Sequence, residues 1–334
     1  MNFSNTSFAE LTKLLKLAMP LALYYLTEVA MGLTNILIVG RLGSNELAAV
    51  GLAVNLMIEF VLVCFGILSM VSVFSSQSLG KGDNNAVTRI VAQGVWVAAL
   101  LSVIALIFGF NIPNIFSATG QDAEVTRIAQ DYIVWLVWFV PFALGFVVLR
   151  NFLVVLNHAH VVLYITVPAL VLNGVLNYIL VLGWDAIAFE GMDVAGAGLG
   201  TTIVNALMFF ALLVYVSLSS RCAAYPIVHA LRNLDLSICR DIFKFGTPAG
   251  ATAFLEGGLF AVVGILMGTL GADWLAANEI LFHCIAVTFV IAAAVGEAAA
   301  VRIAYHVGTG NVSLIQWNAK AAFVLGSIVM LFSA

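Results

Sequence analysis

The chain has 334 residues, 63% of them apolar and 9% charged, with a mean hydropathy of +1.11. Soluble domains run at about 45–50% apolar and about 25% charged, so the composition excludes a soluble globular protein. Long Leu/Val/Ile/Phe/Ala runs, with 28 Gly but only 6 Pro, exclude a disordered or fibrous chain. The net charge of −4 includes no basic stretch of the kind that binds nucleic acid, and Cys64, Cys222, Cys239 and Cys284 show no metal-ligand spacing and read as unpaired thiols.

A bilayer crossing takes about 20 apolar helical residues. Runs of that length cover Leu14–Val39, Leu47–Ser75, Ile90–Ile112, Ala129–Leu156, Val161–Leu182, Val194–Leu218, Gly246–Leu270 and Leu275–Ile303, and a ninth starts near Ala319. The fold class is therefore an all-α polytopic membrane protein with about nine transmembrane helices. The first run holds Pro20 and Glu28 and no small-residue cleavage site, so it reads as a retained helix and not a signal peptide.

Lys and Arg in short loops are retained on the cytoplasmic side. With the N-terminus inside, Lys13, Lys16, Lys81, Arg89, Arg150, Arg221, Arg232, Arg240, Lys244, Arg302 and Lys320 all fall inside, and only Arg41 and Arg127 outside. The longest inner connection, Ser219 to Phe245, carries Ile227, Leu231, Leu234, Ile238 and Ile242 at spacings of three and four, a pattern that predicts a helix lying in the interface plane. Three regions follow: a six-helix bundle over 1–218, an amphipathic cytoplasmic linker over 219–245, and the start of a second bundle over 246–334.

One offset organises the chain. Lys16 and Pro20 match Lys244 and Pro248, an offset of 228 positions, and without gaps it also pairs Glu28 with Glu256, Gly40 with Gly268, Gly43 with Gly271, Gly80 with Gly308 and Gly82 with Gly310. Twelve identities fall in the 67 positions from Lys16 to Gly82. Six helices separate the copies, an even number, so both enter the membrane in the same direction, as parallel repeats with a substrate site between them. The offset carries the counterpart of the third helix past Ala334, so the expectation is a C-terminally truncated chain whose second repeat is incomplete.

Several stretches resemble multidrug and toxic compound extrusion (MATE) transporters: the first helix ending in Val39-Gly40-Arg41-Leu42-Gly43 with Leu47-Ala48-Ala49 after it, the Gln77…Gly80-Lys81-Gly82 turn, and Asn173…Asn177-Tyr178 in the fifth span. Gly196-Ala197-Gly198 and the Pro248…Glu256 helix are similar to the NorM-like bacterial branch. The resemblance implies two six-helix bundles around a V-shaped cleft and export of organic cations by antiport with sodium ions or protons. It also implies that Glu256 takes part in cation coupling, possible sodium binding included, and that Asn173 and Asn177 belong to a polar cluster. That cluster carries an aspartate in the family where this chain has Asn35. The family's acid on the tenth helix lies beyond the sequence.

Carboxylates inside a bilayer are rare and mark ion or substrate paths. Glu28, Glu59 and Glu256 lie well inside runs, with no Lys or Arg read at comparable depth. An unpaired carboxylate there could alternate between proton and cation. Glu28 lies two helical turns from Asn35 on one face and could supply the charge Asn35 lacks. The plainer readings are a carboxyl hydrogen-bonded to a neighbouring helix for the glutamates, and a helix–helix hydrogen bond for Asn173 and Asn177, with Tyr178 nearby. Asn278, Glu279 and His283 form a lesser candidate cluster in the eighth helix, in which Glu279 and His283 also suit a local i,i+4 contact.

These readings predict a secondary active multidrug efflux transporter, not an enzyme, without a cofactor beyond Na+ or H+ as coupling ion. Its expected partners are small organic cations and the lipid bilayer, with no nucleic acid, and the expected state is a monomer in the bacterial inner membrane. The rivals are a related flippase for lipid-linked sugars, which would want basic groups in its cavity, and a membrane-embedded enzyme, for which no catalytic motif is present.

Overall fold

The computed structural model describes residues 3–184, 188–270 and 272–333, with side chains described outside 3–7, 261, 262, 264, 265, 268–280, 282–284, 332 and 333. Eleven helices follow one another: α1 (Phe3–Val39), α2 (Ser44–Gly80), α3 (Asn84–Ala118), α4 (Ala123–Leu136), α5 (Phe139–Val155), α6 (Ala159–Leu182), α7 (Asp193–Leu218), α8 (Ile227–Ala230), α9 (Leu236–Leu270), α10 (Ala272–Thr309) and α11 (Val312–Ser333). Among the described residues seven are long and apolar enough to cross a membrane, or eight if α4 and α5 count as one bent span. Helices suit this setting because each satisfies its own backbone where no water is at hand.

The fourth run is not one straight helix. It breaks at Val137 and Trp138, and α4 and α5 meet at 45°. Pro141 explains the break: it has no N–H, and its ring crowds the carbonyl four residues back, that of Val137. A proline is tolerated in the first turn of a helix, so α5 restarts around it at Phe139.

The 219–245 segment also differs from one interfacial helix. It forms turns, then the single turn α8 after Pro226, and Ile238 and Ile242 already belong to α9. Asp235 starts that helix, its carboxylate accepting from the backbone of Ser237 at 3.0 Å and of Ile238 at 3.4 Å. The segment is held on α3 by Gln93, which is 1% exposed. Its amide donates to the carbonyl of Asn233 at 2.9 Å and accepts from the N–H of Asp235 at 3.1 Å, while the Trp96 indole donates to the carbonyl of Leu231 at 3.1 Å.

The 228-residue offset reappears in the backbone. Gly82 and Gly310, its mates, both sit in the left-handed region at φ +77° and +71°, and α3 and α11 start 228 positions apart at Asn84 and Val312. Helices α2 and α10 cross at Gly80 and Gly308, also mates. A Cβ on Gly80 would strike the Tyr305 carbonyl, and one on Gly308 the Gln77 carbonyl, and Gln77 and Tyr305 stand 228 apart as well. Reciprocal contacts of this kind mark a local two-fold axis. The larger pairing follows the same rule, with α2 packed along α9 and α10 along α1.

Lipid tails are as apolar as Leu, so helices in a bilayer associate through close packing of small residues. Gly66 lies against Gly250, where a Cβ would come within 2.6 Å of backbone. On α10, Ala294, Ala298 and Ala299 are buried against Leu14, Leu17 and Leu21 of α1.

Candidate functional site

Two of the three asparagines meet one turn of α7. Asn173 and Asn177 of α6 are 2% and 0% exposed, one helical turn apart, with the Asn177 amide donating to the Asn173 carbonyl at 2.9 Å. Asn35 of α1 donates to the Thr201 hydroxyl at 3.2 Å. The Asn177 side chain rests on Gly200, where a Cβ would approach its Oδ1 to 2.7 Å. Thr201 in turn donates to the Ala197 carbonyl at 2.9 Å, which fixes its oxygen lone pairs toward Asn35. In each of the three asparagines the Oδ1 is buried without a hydrogen-bond partner. Buried polar atoms are almost always paired, so three acceptors left open on neighbouring helices need an account. Open carbonyl-type oxygens can take a small cation, or the proton-bearing group of a ligand.

Tyr178 does not join them. It is exposed, because the step from Asn177 turns it about 100° around the helix. Thr201 and Gly200 completed the cluster unannounced by any spacing in the sequence. A Thr four residues after Ala197 in an apolar helix carries no long-range signal.

The acids separate into different settings. Glu59 of α2 points at Gly257 of α9, whose missing side chain leaves room for both carboxylate oxygens, and its Oε2 is buried and unpartnered. Gly257 follows Glu256 in the chain, so Glu59 meets α9 one residue from the Glu256 position. Glu256 itself is exposed and makes no hydrogen bond or ion pair among the described residues, so it is not the enclosed group its place in the run suggests. Glu28 is half-buried on α1 and likewise makes none. Asn278, Glu279 and His283 lie outside the described side chains.

The expectation of no basic residue at depth is overturned. Arg150, on the buried α5, is 6% exposed and lies 2.9 Å from Glu297 of α10. Glu297 also falls within the eighth run, six residues before its end at Ile303, and only the fold reveals its partner. A second buried group joins Glu10 of α1 to Arg302 at 2.5 Å and to His306 at 3.0 Å on α10, with Lys13 2.9 Å from the other Glu10 oxygen. His158, between α5 and α6, is a surface neighbour of Arg221, and partial burial with that positive charge holds its pKa below the usual range.

The MatE family model matches residues 20–179. A "Probable multidrug resistance protein NorM" of Bradyrhizobium diazoefficiens is 33% identical over 95% of this chain and 68% of its own length. The chain belongs to the MATE family. A NorM-named relative from Pseudomonas syringae pv. tomato is 30% identical over 97% of this chain and 70% of its own length, and one from Synechococcus is 31% identical over 90% and 64%. The MATE chain described here thus spans about two thirds of the length of the curated relatives it matches.

Solved structures agree on the fold. A eukaryotic MATE transporter superposes with a TM-score of 0.84 at 21% identity, covering 96% of this chain and 70% of its own. An outward-facing multidrug resistance MATE transporter gives 0.82 at 19% identity over 96% and 70%. This is a multi-pass, all-helical MATE protein of NorM type and not an enzyme.

Proposed function

We propose that this MATE chain works in secondary active export of small organic cations, driven by antiport with sodium ions or protons, in a bacterial inner membrane with its N-terminus cytoplasmic. The observation that carries the reading is the buried, unpartnered oxygens of Asn35, Asn173 and Asn177, two of these side chains meeting Thr201 and Gly200 on α7. With their amide donors in part engaged, the open amide oxygens favour positive charge without needing a carboxylate, which suits a chain with Asn35 at that position. Glu59 at the α2/α9 seam and Glu256 on α9 add negative charge for the exported cation, and Glu28 stays in reserve on α1. The names of the NorM relatives support multidrug resistance as the setting.

A flippase for anionic lipid-linked sugars would need unengaged basic groups. Here Arg150 and Arg302 are both taken up by carboxylates, which favours the cation reading.

The test is ion dependence in membrane vesicles loaded with a fluorescent organic cation. Imposed sodium or proton gradients should drive cation movement, and Asn177→Leu and Glu256→Gln should each reduce it at least about ten-fold, the loss of one interaction worth roughly 1.4 kcal/mol. Movement that ignores both gradients, or that both variants leave unchanged, would overturn the proposal.

A further inference from the structure

Helices α2 and α10 cross near where both end, and two charged clusters bridge α1 or α5 to α10 near that crossing. The one nearer the helix ends, Glu10–Arg302–His306, has a spare partner: if α10 moved away, Glu10 would keep Lys13 on its own helix. Water reaching that end would solvate Arg302.

The deeper cluster has no such exit. The Arg150 Nη2 lies 2.9 Å from Glu297 Oε1 and 3.1 Å from Asn151 Oδ1, and Nη1 donates to the Tyr25 hydroxyl at 3.2 Å. Tyr25 donates to Glu297 Oε2 at 2.5 Å, and the guanidinium lies over the Tyr24 and Tyr25 rings, 5.0 and 5.5 Å from their centroids. Arg150, Tyr24 and Tyr25 belong to the first six spans, and Glu297 alone comes from α10. A guanidinium stays charged at every accessible pH. If α10 parted from α1, Arg150 would lose the one carboxylate hydrogen-bonded to it among the described residues while still lying over aromatic rings, a costly position for a charge.

Glu28 meets that need. It stands four residues after Tyr24 and three after Tyr25, hence on the same face of α1, one turn from the rings that carry the guanidinium. It is half-buried and makes no ion pair or hydrogen bond among the described residues. It also travels with Arg150, because α1 and α5 lie in the same bundle.

We propose that Arg150 is a partner-switching counter-ion: it pairs with Glu297 across the seam when this end is closed, and with Glu28 along the Tyr24 and Tyr25 rings when it opens. Glu297 is then a gate residue and Glu28 the receiver that keeps the cation neutralised in the open state. This goes beyond the efflux reading, and its test measures access to the seam, not transport, so either can fail alone.

The reporter is a cysteine in place of Ser76, whose hydroxyl donates to the Val301 carbonyl of α10 at 2.6 Å in the buried seam. A membrane-impermeant maleimide is applied to each face of vesicles holding the full chain, and modification at position 76 is read by peptide mass. Glu297→Gln should speed labelling from one face about ten-fold, because it loosens the closed state. Glu28→Gln alone should slow it below the parent. Combined, Glu28→Gln and Glu297→Gln should lower the melting temperature by more than the sum of the single changes, since each acid covers for the other.

Parental labelling rates in Glu297→Gln would overturn the gate, and additive melting shifts would overturn the exchange. Should Glu297→Gln fail to fold, the neutral pair Arg150→Gln/Glu297→Gln takes its place. It should fold, label fast, and no longer respond to Glu28→Gln, and slow labelling or a continued response would refute the switch.

Discussion

Two polar clusters share helix α1 and are built on opposite plans. Around Asn35, Asn173 and Asn177 the groups are neutral and three acceptor oxygens are left open. Around Arg150 and Glu297 the groups are charged, and each carboxylate oxygen and both terminal guanidinium nitrogens are engaged, with only Nε left over. An open acceptor costs stability and earns its place through what it binds, whereas a paired ion holds the protein's own parts together. The difference separates ligand chemistry from joint chemistry without reference to any relative.

Arg150→Met should break the comparison on its joint side with the largest effect. It leaves Glu297 buried with one tyrosine for company, and a destabilisation of about 3–5 kcal/mol is expected from thermal or denaturant unfolding in detergent. Gly308→Val attacks the same joint without touching charge. The new side chain meets the Gln77 carbonyl of the opposite helix, and overpacking of about 1–3 kcal/mol should appear in the same assay.

Asn177→Leu sharpens the other side. It removes an amide whose oxygen is already unpaired, so stability should move by less than about 1 kcal/mol, yet gradient-driven cation movement should collapse. A stability loss as large as that of Arg150→Met would show the asparagines to be structural. The smallest effect belongs to a surface reference, Asp235→Ala. Hydrogen bonds to Ser237 and Ile238 hold the Asp235 carboxyl below its usual pKa, so its stabilisation is present above the unfolded-state value and fades as pH falls through the folded one. Parent and variant should converge in melting temperature on acidification.

The spans were legible because a bilayer imposes a length and an apolarity that few other constraints disturb. Even the break before α5 was written in Pro141, although a run of hydropathy alone passes over it. The Gly82/Gly310 turns could be read from identity at a fixed offset, because only a few residues accept positive φ. The clusters were harder. Asn173 and Asn177 were visible as polar residues one turn apart, but Thr201, Gly200 and Gln93 act through neighbours distant in sequence. Arg150 looked like an inner-loop cation since it lies six residues from the end of its run, and the long side chain that lets it reach Tyr24 is invisible to a hydropathy window. Glu28 and Glu256 are mates at the 228-residue offset yet differ in the structure, one half-buried one turn from Tyr24 and the other exposed.

The meeting of Gly80 with Gly308 bears on how the molecule could reassemble after opening. At this one point the helices touch through main chain, with no rotamers to sort, so their docked position there is set by backbone shape. Such a joint has one register and no memory of the path taken. Adhesion strength at this end can then be tuned by the charged clusters nearby without altering where the halves come to rest.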